Sequence, residues 1–377
     1  MTGRRRARVI ALSGFLGAGK TTTLAAMARR LERRGSRVAV VTNDQGRDLV
    51  DTRVAAAAGV NVSEVTGGCF CCRFEDLADV VSMAVERNDA DVVLAEAVGS
   101  CTDLSATVAR PLRRTYGDVV EVAPLTAVVD PARFTAFDRS LSLTDPGDDL
   151  AYLFDRQLAD ADVIAVNKID LAAPAEIDAV RASVRQRHRH ARVVPYSAAT
   201  GQGLDTLVDL LLDGPDLPER DIEIDYDRYA AAEAELAWLN HRVRVEPAAQ
   251  PGTFASAAWG HAVLSSLGSV AVRNRWQVGH AKLVIEPPGE PSTFTKLSLV
   301  AAGSRPMLDA DGGAMRRASV RVNARIACRP DQLDAAIADA IRAGDDAAGS
   351  LSVAEGEPAS FAPMYPRPQY RLPATPS

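Results

Sequence analysis

Residues 14–21 read GFLGAGKT, so Gly14, Gly19, Lys20 and Thr21 fit the spacing G-x-x-x-x-G-K-[ST] of a loop that wraps phosphate groups. The flanks agree with that reading. The apolar run Val9 to Leu12 reads as a strand, and Leu24 to Leu31 repeats its apolar residues at helical spacing. Glycine is required because the backbone must curl until its N–H groups point inward, and the N-terminus of the following helix adds partial positive charge. The expected phosphate-binding set is Gly14, Gly17, Ala18, Gly19, Lys20, Thr21 and Thr22. Lys20 would reach the β- and γ-phosphates, and the Thr21 hydroxyl would hold Mg²⁺.

A strand–loop–helix start restricts the fold to α/β, and the rest of the first half follows suit. Apolar strands are expected near Val9, Val38, Val60, Val92, Val119, Val163 and Val193 with helical stretches between them, the pattern of a doubly wound, mostly parallel sheet over residues 1–213. Residues 214–221 read as a linker. Over residues 222–343 a strand near Val243, a helix at 253–275, strands near Leu283, Leu297 and Val322 and a helix after Pro330 describe a smaller α+β domain, for which a ferredoxin-like arrangement is the natural candidate. Residues 344–377 are rich in Ala, Gly, Ser and Pro and read as a flexible tail.

A second motif addresses the base. Asn167, Lys168 and Asp170 form NKID directly after the apolar strand Val163 to Val166, where a loop at a strand's carboxyl end meets a bound ligand. A carboxylate there accepts from guanine N1–H and the 2-amino group, a pattern adenine does not present, so GTP and GDP are expected over the adenine nucleotides. The later segment SAATGQGLD, starting at Ser197 and Ala198, is similar to the loop by which GTPases contact the guanine oxygen.

Of five cysteines, Cys69, Cys71 and Cys72 cluster as GGCFCC. C-x-C places two thiols within reach of one ion and Cys72 adds a third, while Zn²⁺ prefers four tetrahedral ligands, so the site is open by one. Glu64, Asp44, Cys101 or water would complete it, and the sequence does not choose among them. Cys101 reads first as a packed thiol. The clustering fits ligands in a reducing compartment better than a disulfide framework. Across 377 residues there is no apolar run of about 18 and no apolar signal segment after the N-terminal arginines, which together predict a cytoplasmic protein without membrane contact. The net charge of −6 argues against nucleic acid as a partner.

Taken together, GFLGAGKTT, an N-[DE]-x-G loop (Asn43, Asp44, Gly46) with an acid further on at Asp51, GGCFCC, an E-x-x-G strand end (Glu96, Gly99) and NKID resemble the CobW-type GTPases, the zinc-regulated metallochaperones and their cobalt- and cobalamin-associated relatives. The resemblance covers residues 8 to about 213. It implies slow GTP hydrolysis, Mg²⁺ held by Thr21, Asp44, Asp51 and Glu96, a nucleotide contact at Gly99, Zn²⁺ or Co²⁺ on the three clustered thiolates, and delivery to a client metalloenzyme or corrinoid-dependent protein; a homodimer is compatible with it. By analogy with other GTPases Gln45 would orient the attacking water, although an ordinary loop amide is an equal reading. Two rival functions stay open: a GTP-driven gate that assembles or reactivates a corrinoid enzyme, and a zinc-sensing interaction protein. The chain departs from the family pattern at Asp44, where Glu is usual, and at Ala97-Val98, where Thr or Ser is usual.

Overall fold

The computed structural model describes residues 6–44, 61–142, 148–214, 218–249, 251–289, 293–356, 358 and 360–375. They form two compact units, one holding the described residues up to 232 together with 365–375, the other those from 233 to 364.

In the first unit the elements run β1 (Ala7–Ser13), α1 (Lys20–Arg33), β2 (Val38–Asp44), β3 (Asn61–Thr66), α2 (Phe74–Asn88), β4 (Val92–Glu96), a π-helical turn Ser105–Ala109 leading into α3 (Arg110–Tyr116), β5 (Val120–Val122), β6 (Thr126–Val129), α4 (Pro131–Ser142), α5 (Asp149–Asp160), β7 (Val163–Val166), α6 (Pro174–Arg187), β8 (Arg192–Pro195) and α7 (Leu204–Asp213), with α8 (Tyr226–Ala234) following. The sheet order is β3-β2-β4-β1-β6-β7-β8, with β5 added beside β1, and its strand pairings are parallel. β1 and β4 are buried along their whole length, as expected of strands covered by helices on both faces. Helix α1 packs Leu24, Met27, Ala28 and Leu31 against Ile10, Leu12, Val40 and Leu94. Parallel strands end on the same edge, so the loops after β1, β3, β4, β7 and β8 are gathered at the sheet's carboxyl end, where α/β sheets place their ligands.

One central strand is absent from the expected set. The run near Val119 is two strands, because Pro124 interrupts the ladder: β5 pairs with the first half of β1 (Val9 opposite Val122) and β6 with the second (Leu12 opposite Thr126).

The second unit contains β9 (Ala237–Pro247), β10 (Phe254–Ala255), α9 (Ser256–Asn274), β11 (Val278–Glu286), β12 (Thr295–Leu299), β13 (Met307–Ala310), β14 (Ala314–Met315), β15 (Ala318–Ile326), α10 (Pro330–Ala348) and β16 (Ser350–Ala354). Its antiparallel sheet runs β13-β12-β11-β15-β9-β16. Stripped of the added β12 and β13, the chain path is β-α-β-β-α-β with spatial order β16-β9-β15-β11, which is the ferredoxin-like arrangement. Trp259, Val263 and Leu267 of α9 and Leu333, Ile337 and Ala340 of α10 form its core with Leu239, Leu283 and Val322. Cys328 packs at the margin of this core.

The expected flexible tail from 344 is corrected by this structure. Residue 344 falls inside α10, where Gly344 leaves room for Trp259, and 350–354 form the edge strand β16 on β9. Residues 365–375 then belong to the first unit. Composition misled here because the contacts that hold both segments, backbone pairing for 350–354 and scattered backbone and side-chain bonds for 365–375, leave no periodic pattern in the sequence. None of the helices searched is long and apolar enough to cross a membrane.

Candidate functional site

The loop between β1 and α1 takes the shape that its glycines allow. Gly14 has φ 123°, and a Cβ there would lie 2.2 Å from the Val128 carbonyl oxygen of β6, so no other residue fits. Lys20, nearly buried, turns its Nζ onto the carbonyls of Gly14 (2.7 Å) and Phe15 (3.5 Å). Thr21 Oγ1 donates to Glu96 Oε1 at 3.0 Å, so a hydroxyl and a carboxylate from the ends of α1 and β4 meet as two hard oxygen donors of the kind Mg²⁺ takes. Thr22 is exposed on the next turn.

The loop after β7 braces the loop after β1. Asn167 Nδ2 donates to the Ala18 carbonyl (3.0 Å) while its Oδ1 accepts from the Ala198 amide (3.0 Å), fastening both loops to each other. Lys168, at φ 59°, donates from Nζ to the Gly17 carbonyl (2.8 Å) and to Asp130 (2.6 Å). Asp170 is exposed at the rim, and Ser197 is buried with its hydroxyl accepting from the Thr200 amide. The sequence treats Asn167, Lys168 and Asp170 alike; in the structure the first two organise the loop and Asp170 faces outward.

The cysteine loop follows β3 and is held by the end of β2. Asn43 Nδ2 donates to the carbonyls of Val65 (3.0 Å) and Gly68 (2.8 Å), and its Oδ1 accepts from the Phe70 amide (2.9 Å). Cys69, Cys71 and Cys72 thereby place their sulfurs within 4.8 Å of one another, with Cys69 and Cys71 at 2.9 Å and Cys71 and Cys72 at 3.9 Å. Thiolates bound tetrahedrally to one ion at about 2.3 Å stand roughly 3.8 Å apart, so this donor set fits a single thiophilic ion with small adjustment.

Two further partners of the cluster stand beside it, one offered by the sequence only as one of several alternatives for the fourth position and one that the sequence does not mark. The first is Cys101, wholly buried, whose thiol interacts with those of Cys69 and Cys71. Interactions with Cys101, Cys71 and Cys72 hold the Cys69 thiol well below its ordinary range, and those with Cys101, Cys69 and Cys72 hold Cys71 well above it. Cys72 is pushed up to about 11, chiefly by Cys69. The second is the C-terminal segment. The Arg367 amide donates to Cys72 Sγ (3.3 Å), the Gln369 amide to the Cys71 carbonyl (2.9 Å), and Tyr370 stacks edge-on against Phe74 with centroids 5.2 Å apart. Arg371 Nε bonds Asp103 at 2.7 Å. The E-x-x-G spacing pointed to Glu96 and Gly99 but gave no reason to include Cys101, and nothing local marks the tail.

The loop from Glu96 to Cys101 joins these parts. Gly99 lies against the phosphate loop so closely that a Cβ would sit 2.5 Å from Leu16 Cδ2. Gln157 of α5 donates from Nε2 to the carbonyls of both Gly99 and Cys101, each at 3.0 Å. Gln45 and Asp51 lie outside the described residues, and of Asp44 only the backbone, ending β2, is described.

A parallel sheet, a Gly-Lys-Thr loop between its central strand and first helix, and an acid on the neighbouring strand define a P-loop nucleotide-binding domain. The family described as CobW/HypB/UreG, nucleotide-binding domain, matches residues 8–195, and this part of the chain belongs to it as a CobW-like P-loop GTPase. The zinc chaperone CobW of a Sinorhizobium species is 30% identical over 201 residues, which are 47% of this chain and 54% of that protein. The urease accessory protein UreG of Mycolicibacterium gilvum is 29% identical over 216 residues, 54% of this chain and 93% of that protein. The chain spans about half the length of the curated zinc chaperones named CobW that it matches. Among solved structures, the Zn(II)-bound YjiA GTPase from Escherichia coli is 18% identical, with 89% of this chain and 98% of that one covered at a TM-score of 0.35.

Proposed function

We propose that this protein is a cytoplasmic, slowly GTP-hydrolysing metallochaperone that takes up Zn²⁺ or Co²⁺ at its clustered thiolates and passes it to a client metalloenzyme or corrinoid-dependent protein. The observation that carries the reading is the loop Glu96–Cys101, which begins on the Thr21 hydroxyl and ends in contact with Cys69 and Cys71. Relatives named as zinc chaperones support metal as the cargo.

In this reading the amides of Gly17, Ala18 and Gly19, with Lys20, spread the charge that develops on the transferring phosphoryl group. Thr21 and Glu96, joined by Asp44 and Asp51, hold Mg²⁺, Gly99 meets the γ-phosphate, and Gln45 positions the water. Asp170 reads guanine, with Asn167 and Lys168 holding the loop that presents it and Ser197–Ala198 closing on the guanine oxygen. A γ-phosphate that draws Gly99 toward itself also moves Cys101, so nucleotide state is transmitted to the sulfur cluster through the three residues Gly99–Cys101.

The base assignment is tested at an exposed side chain whose replacement leaves the fold intact. Wild type should bind GDP and GTP in clear preference to adenine nucleotides. Asp170→Asn should transfer that preference to xanthine nucleotides, because the amide offers a donor where the carboxylate offered an acceptor. Isothermal titration with GDP, XDP and ADP reads this; equal wild-type affinity for ADP contradicts it.

A further inference from the structure

We infer that Cys101 is the fourth ligand of the metal site, so that the ion is bound by four sulfurs drawn from two loops, the GGCFCC loop and the loop that carries Glu96. The inference rests on the proposed reading of the cluster as a metal site, and it adds the residue that closes the coordination shell and selects the class of ion.

Position comes first. Cys101 follows β4 by five residues and the GGCFCC loop follows β3; the sheet order β3-β2-β4 puts one strand between them, so the two loops leave the same edge of the sheet on either side of β2. Asn43 at the end of β2 fixes the GGCFCC loop through three hydrogen bonds, and Gln157 fixes the Cys101 carbonyl. Both sulfur-bearing segments are therefore held by side chains that are themselves buried. Cys101 is in contact with two of the three clustered thiols, and it is fully buried beside them.

The chemistry of the donors supports the same assignment. A fully buried fourth thiol beside three clustered ones is an unusual packing choice, because adjacent thiols gain little over alkyl groups and are prone to oxidation. Four thiolates satisfy the tetrahedral preference of Zn²⁺ without water, and they disfavour Mg²⁺ and Ca²⁺, which take oxygen. Excess negative charge on sulfur needs donors, and the Arg367 amide supplies one to Cys72.

A four-sulfur shell also settles how such an ion is released. It is closed, so release requires one loop to withdraw, and Cys101 is the ligand on the loop that responds to nucleotide. Loss of that single sulfur returns the site to the three-ligand, open form from which a client's ligands can take the ion.

The test counts sulfurs. Zinc-edge X-ray absorption on the zinc-loaded full-length wild type should show four sulfur neighbours at about 2.3 Å. Cobalt titration should give sulfur-to-cobalt charge-transfer absorption that falls by about a quarter in Cys101→Ser, with Co²⁺ and Zn²⁺ affinity weakened roughly 100-fold by chelator competition, since each thiolate carries a sizeable share of the binding. Cys101→Ala is the companion variant, and GDP affinity monitors its fold. Three sulfurs in the wild type, or undiminished charge transfer and affinity in both variants while Cys69→Ser and Cys71→Ser lose theirs, would overturn Cys101 as a ligand and leave the three-thiolate reading standing. A wild type that shows no sulfur coordination at all would overturn both.

Discussion

Lys20→Ala is expected to lower GTP turnover by on the order of 10²-fold or more, because in the proposed mechanism the ammonium would stabilise the charge that develops on the transferring phosphoryl oxygens and water would not replace it there. The substitution should be selective for chemistry. The loop that carries Lys20 is also fixed by Asn167 on the Ala18 carbonyl, Lys168 on the Gly17 carbonyl and the contact of Gly99 with Leu16, none of which involves the lysine. Phosphate release measured under saturating GTP, with thermal melting as the control for folding, checks this. Turnover within about tenfold of wild type in a folded Lys20→Ala protein would place the phosphate site elsewhere.

A second large effect concerns stability. Asp160, the last residue of α5, is buried, and its carboxylate accepts from the Ser105 amide at 3.1 Å. Burial first, and the nearby Asp103 second, push it up to about 7 from 3.8. Asp103 itself is engaged by the Tyr226 hydroxyl and Arg371. A carboxyl group whose folded value lies above its unfolded value stabilises the protein fully below about 4, and that contribution is lost as the pH rises to about 7. The loss across this interval is about 4 kcal/mol, from roughly three pH units at 1.36 kcal/mol each. Asp160→Asn removes the titration. Its buried amide carries a cost of its own, but that cost does not vary with pH. The expected result is that the variant gains about 4 kcal/mol on the wild type between pH 4 and pH 8, read by denaturant unfolding at both values. A difference independent of pH would contradict the assignment.

The parts legible in the sequence are those where one residue type is chemically or sterically obligatory. Gly14 cannot bear a side chain against Val128, and Lys20, Thr21 and Glu96 are functional groups that nothing else supplies at that spacing. The alternation of strands and helices was equally plain, since buried parallel strands need continuous apolar runs. What stayed hidden depends on long-range placement. β6 is four residues long and becomes a central strand only because Pro124 forces a new pairing with β1. Cys101 looks first like a packed thiol until the sheet order β3-β2-β4 brings its loop to the same edge as the GGCFCC loop. Residues 365–375 are docked through backbone amides and side-chain contacts such as Arg371 with Asp103, and a Pro-rich stretch carries no periodic trace of such contacts.

The proposed coupling of metal to nucleotide is most directly tested by one competition titration. Zn²⁺ affinity is measured against a chromophoric chelator with the protein bound to GDP and to a non-hydrolysable GTP analogue, and the analogue's affinity is then measured with and without Zn²⁺. If the loop Glu96–Cys101 transmits the γ-phosphate to the sulfurs, metal binds more tightly in the analogue state, and by linkage Zn²⁺ raises the analogue's affinity by the same factor. Identical Zn²⁺ affinities in the two nucleotide states would leave the thiols as an uncoupled site and contradict the metallochaperone mechanism.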